Sequence, residues 1–228
     1  MAKNVVPFEP VRRKRRLLGL DDQERADRRR QLLLDAALDY FGTRGYTKTT
    51  IEALCQSAGV GTTSFYELYA NKEAIMADLY DQVTSAMGAA VAEEYLLRSN
   101  EPNLIELLIT RFVHHVVADP RLARVAFIES AGISPELEEH RRRARNQFVE
   151  ALVGIGSALR AKGGSKANFS PEVSALPAPR RNAVGVVGAI IEMVIDWLLD
   201  PDQDPIETLI RDVAHYCNRI MNAILTET

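Results

Sequence analysis

The stretch that decides the fold is TTIEALCQSAGVGTTSFYELYANKE, residues 49–73. Thr49 has the side chain of a helix N-cap, and Glu52 three residues later completes a capping box. Apolar residues then recur at helical spacing as far as Gly59, where a left-handed glycine ends a helix at low cost. A second short helix is predicted over residues 62–69. The stretch therefore predicts two short helices joined by a tight glycine turn.

Two short helices joined in this way form the helix-turn-helix unit, whose second helix enters the major groove of DNA. Phe65 and Leu68 point inward at i, i+3, so the opposite side of this helix remains for DNA. Thr62 and Thr63 open the helix and are predicted to contact base edges. Thr50, in the first turn of the preceding helix, is predicted to contact a phosphate oxygen.

Residues 30–73 resemble the DNA-binding domain of TetR-type transcriptional regulators, in a continuous register without gaps. The matching residues are Leu33, Leu34, Ala36, Ala37, Tyr40, Phe41, Gly45, Tyr46, Thr49, Thr50, Ala58, Gly59, Val60, Ser64, Phe65, Tyr66, Asn71, Lys72 and Glu73. Two positions depart from the family pattern. Gly61 stands where a serine often caps the recognition helix, and Leu68 stands where a histidine or an aromatic residue often packs.

The resemblance implies an all-α fold, in which a three-helix helix-turn-helix domain precedes a larger helical bundle that binds an effector and forms a dimer. It also implies that Ser64 and Tyr66 contact the DNA backbone or base edges and that Lys72 clamps a phosphate. Packing of Tyr66 on the first helix is the alternative. The full predicted DNA-binding set is Thr49, Thr50, Gly61, Thr62, Thr63, Ser64, Tyr66, Asn71, Lys72, Arg12, Arg13, Arg15 and Arg16.

Charge is distributed unevenly along the 228 residues, although the formal net charge is only −3. Residues 1–30 carry ten Lys and Arg against five acidic residues, whereas the chain from residue 81 onward carries fifteen against twenty. This asymmetry favours a basic end that faces DNA and a remote acidic body. The basic arm, residues 1–22, is predicted either to follow the phosphates and the minor groove or to be a solvated tail.

Three parts are predicted along the chain: the arm, residues 1–22; the helix-turn-helix domain, residues 23–73; and the effector-binding and dimerisation domain, residues 74–228. The last part has helical periodicity throughout, interrupted by a Gly-, Ser- and Pro-rich loop from Ala161 to Pro179. Its two final helices are predicted to pair with their copies in a four-helix homodimer interface, as the resemblance implies.

The resemblance further implies a repressor that leaves its operator in double-stranded DNA when a small, hydrophobic effector of unknown identity binds. The candidate effector-binding residues are Phe112, His115, Phe127, Glu129, Phe148, Met193 and Trp197, and core packing is the alternative for each. A buried carboxylate or imidazole needs a partner, which a ligand can supply. The run Arg141-Arg142-Arg143-Ala144-Arg145 is interpreted as a solvated helix face paired with neighbouring glutamates.

Other function classes find little support in the sequence. It contains no Ser/His/Asp order, HExxH motif, P-loop or paired Cys/His ligands, so no enzyme, metal site or cofactor is predicted. Cys55 and Cys217 fall in different predicted domains, which favours a reducing cytoplasm over a disulfide framework. The longest apolar run, residues 183–199, is interrupted by Glu192 and Asp196, so no membrane span is predicted. The remaining alternative is a DNA-binding regulator controlled by a protein partner, with no small-molecule pocket.

Overall fold

The computed structural model describes residues 22–162, 179–200 and 202–226, and every regular element in these ranges is a helix. The predicted all-α fold is therefore confirmed. The helices are α1 Asp22–Arg44, α2 Ile51–Ala58, α3 Thr62–Leu68, α4 Lys72–Arg98, α5 Leu104–Val117, α6 Pro120–Ala123 with a π-helical segment Arg124–Glu129, α7 Pro135–Lys162, α8 Pro179–Leu199 and α9 Ile206–Thr226. The predicted arm up to residue 21, and residues 163–178 of the predicted loop, lie outside the described residues.

The first three helices pack around the apolar stripe of α1. Leu33, Ala37 and Phe41 recur every four residues along α1 and are fully buried, which is the spacing of one helix face. Phe65 of α3 is also fully buried and belongs to the same core. The chain leaves α1 at Gly45, whose φ of 91° lies in the left-handed region. Glycine adopts that region without steric cost.

The body begins with α4 and contains a rare local structure after α6. Asp119 caps α6 by accepting a hydrogen bond from the Arg121 amide at 3.1 Å. The Ser130 amide then bonds to the carbonyl of Val125, five residues earlier, at 3.2 Å. Such wider turns occur as short insertions in helices and are frequent at functional sites. The sequence predicts one helix from Pro120 to about Ala131, without this change of hydrogen-bond register.

One buried apolar cluster runs through both parts of the chain, from Leu33 on α1 through Val116 on α5 to Cys217 on α9. The predicted boundary between residues 73 and 74 falls in the first turn of α4, which begins at Lys72 and continues into the body. The helix-turn-helix domain therefore packs directly against the rest of the described helical bundle.

The α8 helix departs from one sequence expectation. Its segment Arg180–Leu199 is long and apolar enough to cross a membrane by length and composition, despite Glu192 and Asp196. In this fold the helix packs inside the bundle, where Val186 and Val194 are buried in the main core. A core helix of a soluble bundle has the same composition, so the hydropathy of α8 does not distinguish the two environments.

The end of α1 lies very close to α6. A Cβ atom added at Gly42 would lie 2.5 Å from Cβ and 2.9 Å from Cα of Arg121, closer than such atoms approach in proteins. The absence of a side chain at Gly42 therefore permits this helix contact.

Substitution Gly42→Ala is expected to lower the free energy of unfolding by about 1–3 kcal/mol, because the α1–α6 contact becomes overpacked. Gly88→Ala is the control, since Gly88 lies inside α4 with open space around its Cβ position. This control is expected to raise stability by about 0.5–1 kcal/mol through helix propensity. Urea denaturation measures both, and equal effects at the two positions would contradict the packing argument.

Candidate DNA interface and effector cavity

The turn between α2 and α3 has the geometry of a glycine-stopped helix. Gly59 has φ 63° and ψ 30°, and its amide bonds to the carbonyl of Gln56 at 3.3 Å. The Val60 amide bonds to the carbonyl of Cys55 at 3.0 Å. These two bonds satisfy carbonyls that the end of α2 would otherwise leave open. Gly61 is the N-cap of α3 and supplies no side-chain capping bond, as the departure from the family pattern predicts.

The α3 helix turns its polar side outward. Phe65 is fully buried, with its ring 5.4 Å from that of Tyr66 and 5.6 Å from that of Tyr69. Thr62 and Thr63 are exposed, and Ser64 is partly buried. Tyr66 is 56% exposed, so its ring lies on the outer face and not in the core under α1. The side chains that the sequence predicts for DNA contact at α3 are therefore brought to one surface.

The cap of α2 is Thr50, and the prediction of Thr49 as N-cap is wrong. The Thr50 hydroxyl accepts a hydrogen bond from the Ala53 amide at 3.2 Å. Thr49 is only 2% exposed, and its hydroxyl donates to the carbonyl of Gly45 at 2.8 Å. That bond closes the turn between α1 and α2. The Thr49 side chain is thus withdrawn from the surface on which Thr50 remains exposed.

The start of α4 is tied to the turn between α1 and α2 by Lys72. Its ammonium donates to the carbonyls of Tyr46 and Thr49, both at 2.8 Å, and lies 4.2 Å from the centre of the Tyr46 ring. Burial lowers the pKa of Lys72. Asn71 is the N-cap, accepting from the Ala74 amide at 2.8 Å. Two of the three ammonium N–H groups are therefore used inside the domain, and one remains for a phosphate.

A second polar link in this domain was not predicted from the sequence. The Tyr69 hydroxyl donates to the Asp78 carboxylate at 2.6 Å, and Arg30 Nε donates to the same carboxylate at 2.8 Å. Burial, together with the hydrogen bond to Asp78, raises the pKa of Tyr69. The network joins α1, the end of α3 and α4. Arg30 is thus paired inside the domain, while the arm residues Arg12, Arg13, Arg15 and Arg16 lie outside the described residues.

The body contains a cavity of about 480 Å³ between α4, α5, α7, α8 and the π-helical segment. Three of the predicted effector-binding residues line it: Phe112, Phe127 and Phe148. The rings of Phe112 and Phe148 meet edge to face, with centroids 5.3 Å apart. The volume lies in the range of small-molecule sites, which are mostly apolar with a few polar groups.

The other four predicted residues do not line this cavity. Trp197 is nearly buried and donates from Nε1 to the carbonyl of Asp204 at 2.8 Å, which fixes the chain between α8 and α9. Met193 packs against the main core. His115 is partly buried on α5, and burial, with a smaller effect of Arg111, lowers its pKa. For Met193 and Trp197 the core-packing alternative therefore describes the contacts.

Glu129 has a partner other than a ligand. Its carboxylate accepts a hydrogen bond from the Tyr46 amide at 2.8 Å and lies 3.3 Å from the guanidinium of Arg124. The side chain is 15% exposed. A Cβ atom at Gly45 would lie 3.1 Å from the same carboxylate. The absence of a side chain at Gly45 therefore leaves space for the Glu129 carboxylate. Glu129 thus connects the body to the turn between α1 and α2.

Three more contacts join the helix-turn-helix domain and α4 to the body. Arg121 bridges Asp119, at 2.7 Å, and Asp39 of α1, at 3.3 Å. The Ser134 hydroxyl donates to the carboxylate of Glu73. His140 of α7 lies 2.9 Å from a carboxylate oxygen of Asp81 on α4. The pairs Arg121–Asp39, Ser134–Glu73 and His140–Asp81 are distant in sequence, so periodicity could not reveal them.

The arginine run of α7 has a second role beyond the predicted ion pairs. Arg141 pairs with Glu138 at 2.8 Å and Arg142 with Glu139 at 2.6 Å, as the interpretation of glutamate-paired arginines predicts. Arg141, Arg142 and Arg145 also line the cavity, and sequence analysis missed this. The available signal was the spacing of Arg141, Arg145, Phe148 and Leu152, which places all four on one helix face.

Comparison with known proteins supports the same organisation. Residues 33–79 match the family described as bacterial regulatory proteins, tetR family. The fatty acid metabolism regulator protein of Bacillus subtilis (strain 168) is 22% identical over 123 residues, which cover 54% of this chain and 63% of the relative. The match thus spans less than two thirds of that relative's length.

Solved structures share the fold. The fatty acid degradation regulator FadR from Bacillus halodurans has a TM-score of 0.68 at 19% identity, covering 83% of this chain and 94% of that chain. The transcriptional regulator FadR from Bacillus subtilis was solved in complex with stearoyl-CoA. It has a TM-score of 0.62 at 18% identity, and the match covers 87% of this chain and 98% of that chain.

An exposed recognition helix in a helix-turn-helix domain, seated on an all-helical body, defines the class of DNA-binding transcriptional regulators. Within that class, residues 33–79 match the tetR family, and the described part of the chain shares the fold of the solved regulators.

Replacing Lys72 by methionine is expected to lower the free energy of unfolding by about 1–3 kcal/mol, because two carbonyls lose a charged donor while the apolar stem is kept. Lys48→Met is the matched control, since Lys48 is exposed, and its effect is expected to stay within about 0.5 kcal/mol. Thermal unfolding monitored by circular dichroism measures both. An unchanged free energy of unfolding in Lys72→Met would contradict the role of the ammonium in holding the turn between α1 and α2.

Proposed function

We propose that the chain is a homodimeric repressor that leaves its operator when a small, hydrophobic effector occupies the cavity. One observation carries this proposal: the π-helical segment lines the cavity with Ala126 and Phe127, and two residues after Phe127 the carboxylate of Glu129 bonds to the helix-turn-helix domain. A ligand that displaces the segment acts on the Tyr46 amide through a single short stretch of backbone. Cavity and DNA-binding domain therefore share one structural element.

The proposed DNA contacts follow from exposure on α3 and at the neighbouring helix starts. Thr62 and Thr63 contact base edges, including thymine methyl groups, and Ser64 and Tyr66 contact the backbone or base edges. The remaining proposed contacts, to phosphates, are Thr50, Asn71, the free N–H of Lys72 and the arginines of the N-terminal arm. Thr49 is not part of the proposed surface, because its side chain is buried.

A dimer through α8 and α9 is supported by apolar side chains that one chain leaves exposed. Val184 and Leu199 of α8 are 40% and 59% exposed, and Tyr216 of α9 is 46% exposed. The Cβ position at Gly185 has open space around it, so a helix of a second copy can approach closely there. Two copies related by a two-fold axis present two recognition helices to two half-sites.

The proposed effector class is a long-chain fatty acyl compound acting in the cytoplasm. The cavity is lined mostly by apolar side chains, and the fold is shared with a regulator solved with stearoyl-CoA. Each buried CH₂ group contributes about 0.8 kcal/mol to binding, so a long chain gains affinity from such a cavity. A cavity of this volume favours a small molecule over the alternative of control by a protein partner alone.

The experiment that tests the repressor function is operator binding. Purified protein is titrated against fragments that include the DNA upstream of its own gene, at several salt concentrations, with and without hexadecanoyl-CoA. We expect a specific complex of two chains per fragment that the acyl compound dissociates. Thr63→Ala is expected to weaken specific binding about fivefold or more, since a base contact contributes about 1 kcal/mol or more.

Thr43→Ala is the control for this measurement. Thr43 is exposed at the end of α1 that contacts the body, and its hydroxyl bonds to the carbonyl of Asp39. DNA affinity is expected to be unchanged in this variant. Binding that shows no sequence preference, is lost at moderate salt and has equal affinity in Thr63→Ala and Thr43→Ala would contradict the proposed DNA-binding surface.

Glu129→Ala is expected to separate effector binding from DNA release. The residue does not line the cavity, so acyl affinity is retained, whereas the fold-change in DNA affinity caused by the effector falls to less than about threefold. Coupling in allosteric proteins is typically about 5–150-fold. Paired titrations of effector and DNA measure the coupling. Glu136→Ala, an exposed glutamate of α7, serves as the control, and unchanged coupling in Glu129→Ala would contradict the proposed route.

A further inference from the structure

One face of α7 presents both a cationic and an apolar surface to the cavity. Arg141, Arg145, Phe148 and Leu152 follow one another at intervals of four, three and four residues, and all four line the cavity. The arginines occupy the N-terminal end of this row and the apolar residues the C-terminal end. The cavity is therefore polar at one end and apolar along the rest of the row.

The charged side chains that line the cavity are only partly paired with one another. Three guanidinium groups line the cavity, of Arg141, Arg142 and Arg145, against two carboxylates, of Glu138 and Glu192. Glu138 is already engaged, accepting from Arg141 and from the Gly132 amide, both at 2.8 Å. The Gly132 hydrogen bond lowers the pKa of Glu138, so this carboxylate stays ionised with its partners.

Arg145 is the cation left over. Arg141 pairs with Glu138 and Arg142 with Glu139, whereas Arg145 forms no hydrogen bond or ion pair among the residues that the structure describes. Arg145 interacts electrostatically with Tyr80 and Glu138, which also line the cavity. The Arg145 side chain is exposed at the edge of the cavity lining, and all five N–H donors of its guanidinium are available for a ligand.

We infer that the effector is an amphipathic anion whose acidic group binds Arg145 while its hydrocarbon chain lies along Phe148 and Leu152. This inference rests on the proposed effector function and adds the recognition of the charged end. The shared chemistry is a carboxylate or a phosphate ester on a long alkyl or acyl chain. Both groups accept the paired N–H donors of a guanidinium.

The arrangement discriminates between charged and neutral ligands of equal chain length. Hydrogen bonds to a charged group contribute more to binding than hydrogen bonds between neutral groups. A neutral alcohol fills the apolar part equally well but leaves Arg145 without an acidic partner. An anion is therefore expected to bind about tenfold more tightly, or better, than the alcohol.

The test compares three ligands of one chain length: hexadecanoyl-CoA, hexadecanoate and hexadecan-1-ol, each below its micelle concentration. Displacement of a neutral solvatochromic dye from the full-length protein measures each affinity. Arg145→Gln is expected to remove the preference for anions, with a loss of about tenfold or more for the anion and little change for the alcohol. Arg143→Gln is the matched control, since Arg143 is exposed on α7 and does not line the cavity.

The outcomes separate the sources of the anion. A loss confined to hexadecanoyl-CoA in Arg145→Gln supports a phosphate-bearing head group, and a loss for hexadecanoate supports a free carboxylate. Equal affinity of the alcohol and both anions in the unsubstituted protein overturns the inference and leaves the proposed acyl effector standing. Equal losses in Arg145→Gln and Arg143→Gln overturn it as well. Failure of all three ligands to displace the dye refutes the proposed effector class, and the inference with it.

Discussion

The carboxylate of Glu129 is held where the amide of Tyr46 and the guanidinium of Arg124 both reach it, and this contact joins the two parts of the chain. A largely buried carboxylate is costly unless it is paired and hydrogen-bonded. Its position is therefore tightly restricted, and so is the π-helical segment that carries it. Because the same segment contributes Phe127 to the cavity wall, the cavity and the turn between α1 and α2 cannot rearrange independently.

The helix-turn-helix domain was largely predictable from the sequence, because the residues that determine its structure act over short distances along the chain. The glycine at position 59 and the buried Phe65 act over a few residues, and the structure has the turn and the inward ring where the pattern predicts them. The choice between Thr49 and Thr50 as the cap of α2 depends on the geometry of the preceding turn, which the sequence pattern does not specify. Both have a capping side chain, and the carbonyl of Gly45 decides between them by engaging the Thr49 hydroxyl.

The candidate sites in the body were predicted less completely, for a physical reason. Sequence analysis correctly identified Glu129 as an acid in need of a partner, but that partner is a backbone amide 83 positions away. Hydrophobic periodicity indicates that a residue is buried, without indicating what it contacts. For the same reason the ion pairs of Arg141 and Arg142, which lie within one helix, were predictable, whereas the part these arginines take in the cavity wall depends on α4 and α8.

The continuity of α4 has a mechanical consequence. This helix of 27 residues begins at Lys72, next to the helix-turn-helix unit, and contributes Met87 to the cavity wall. At 1.5 Å per residue, about 22 Å of helix separates the two residues. A rigid rod of that length that tilts by about 5° at Met87 moves its other end by roughly 2 Å. The ammonium of Lys72 is bonded to the turn before α2, so a tilt of α4 at Met87 would move this turn as well.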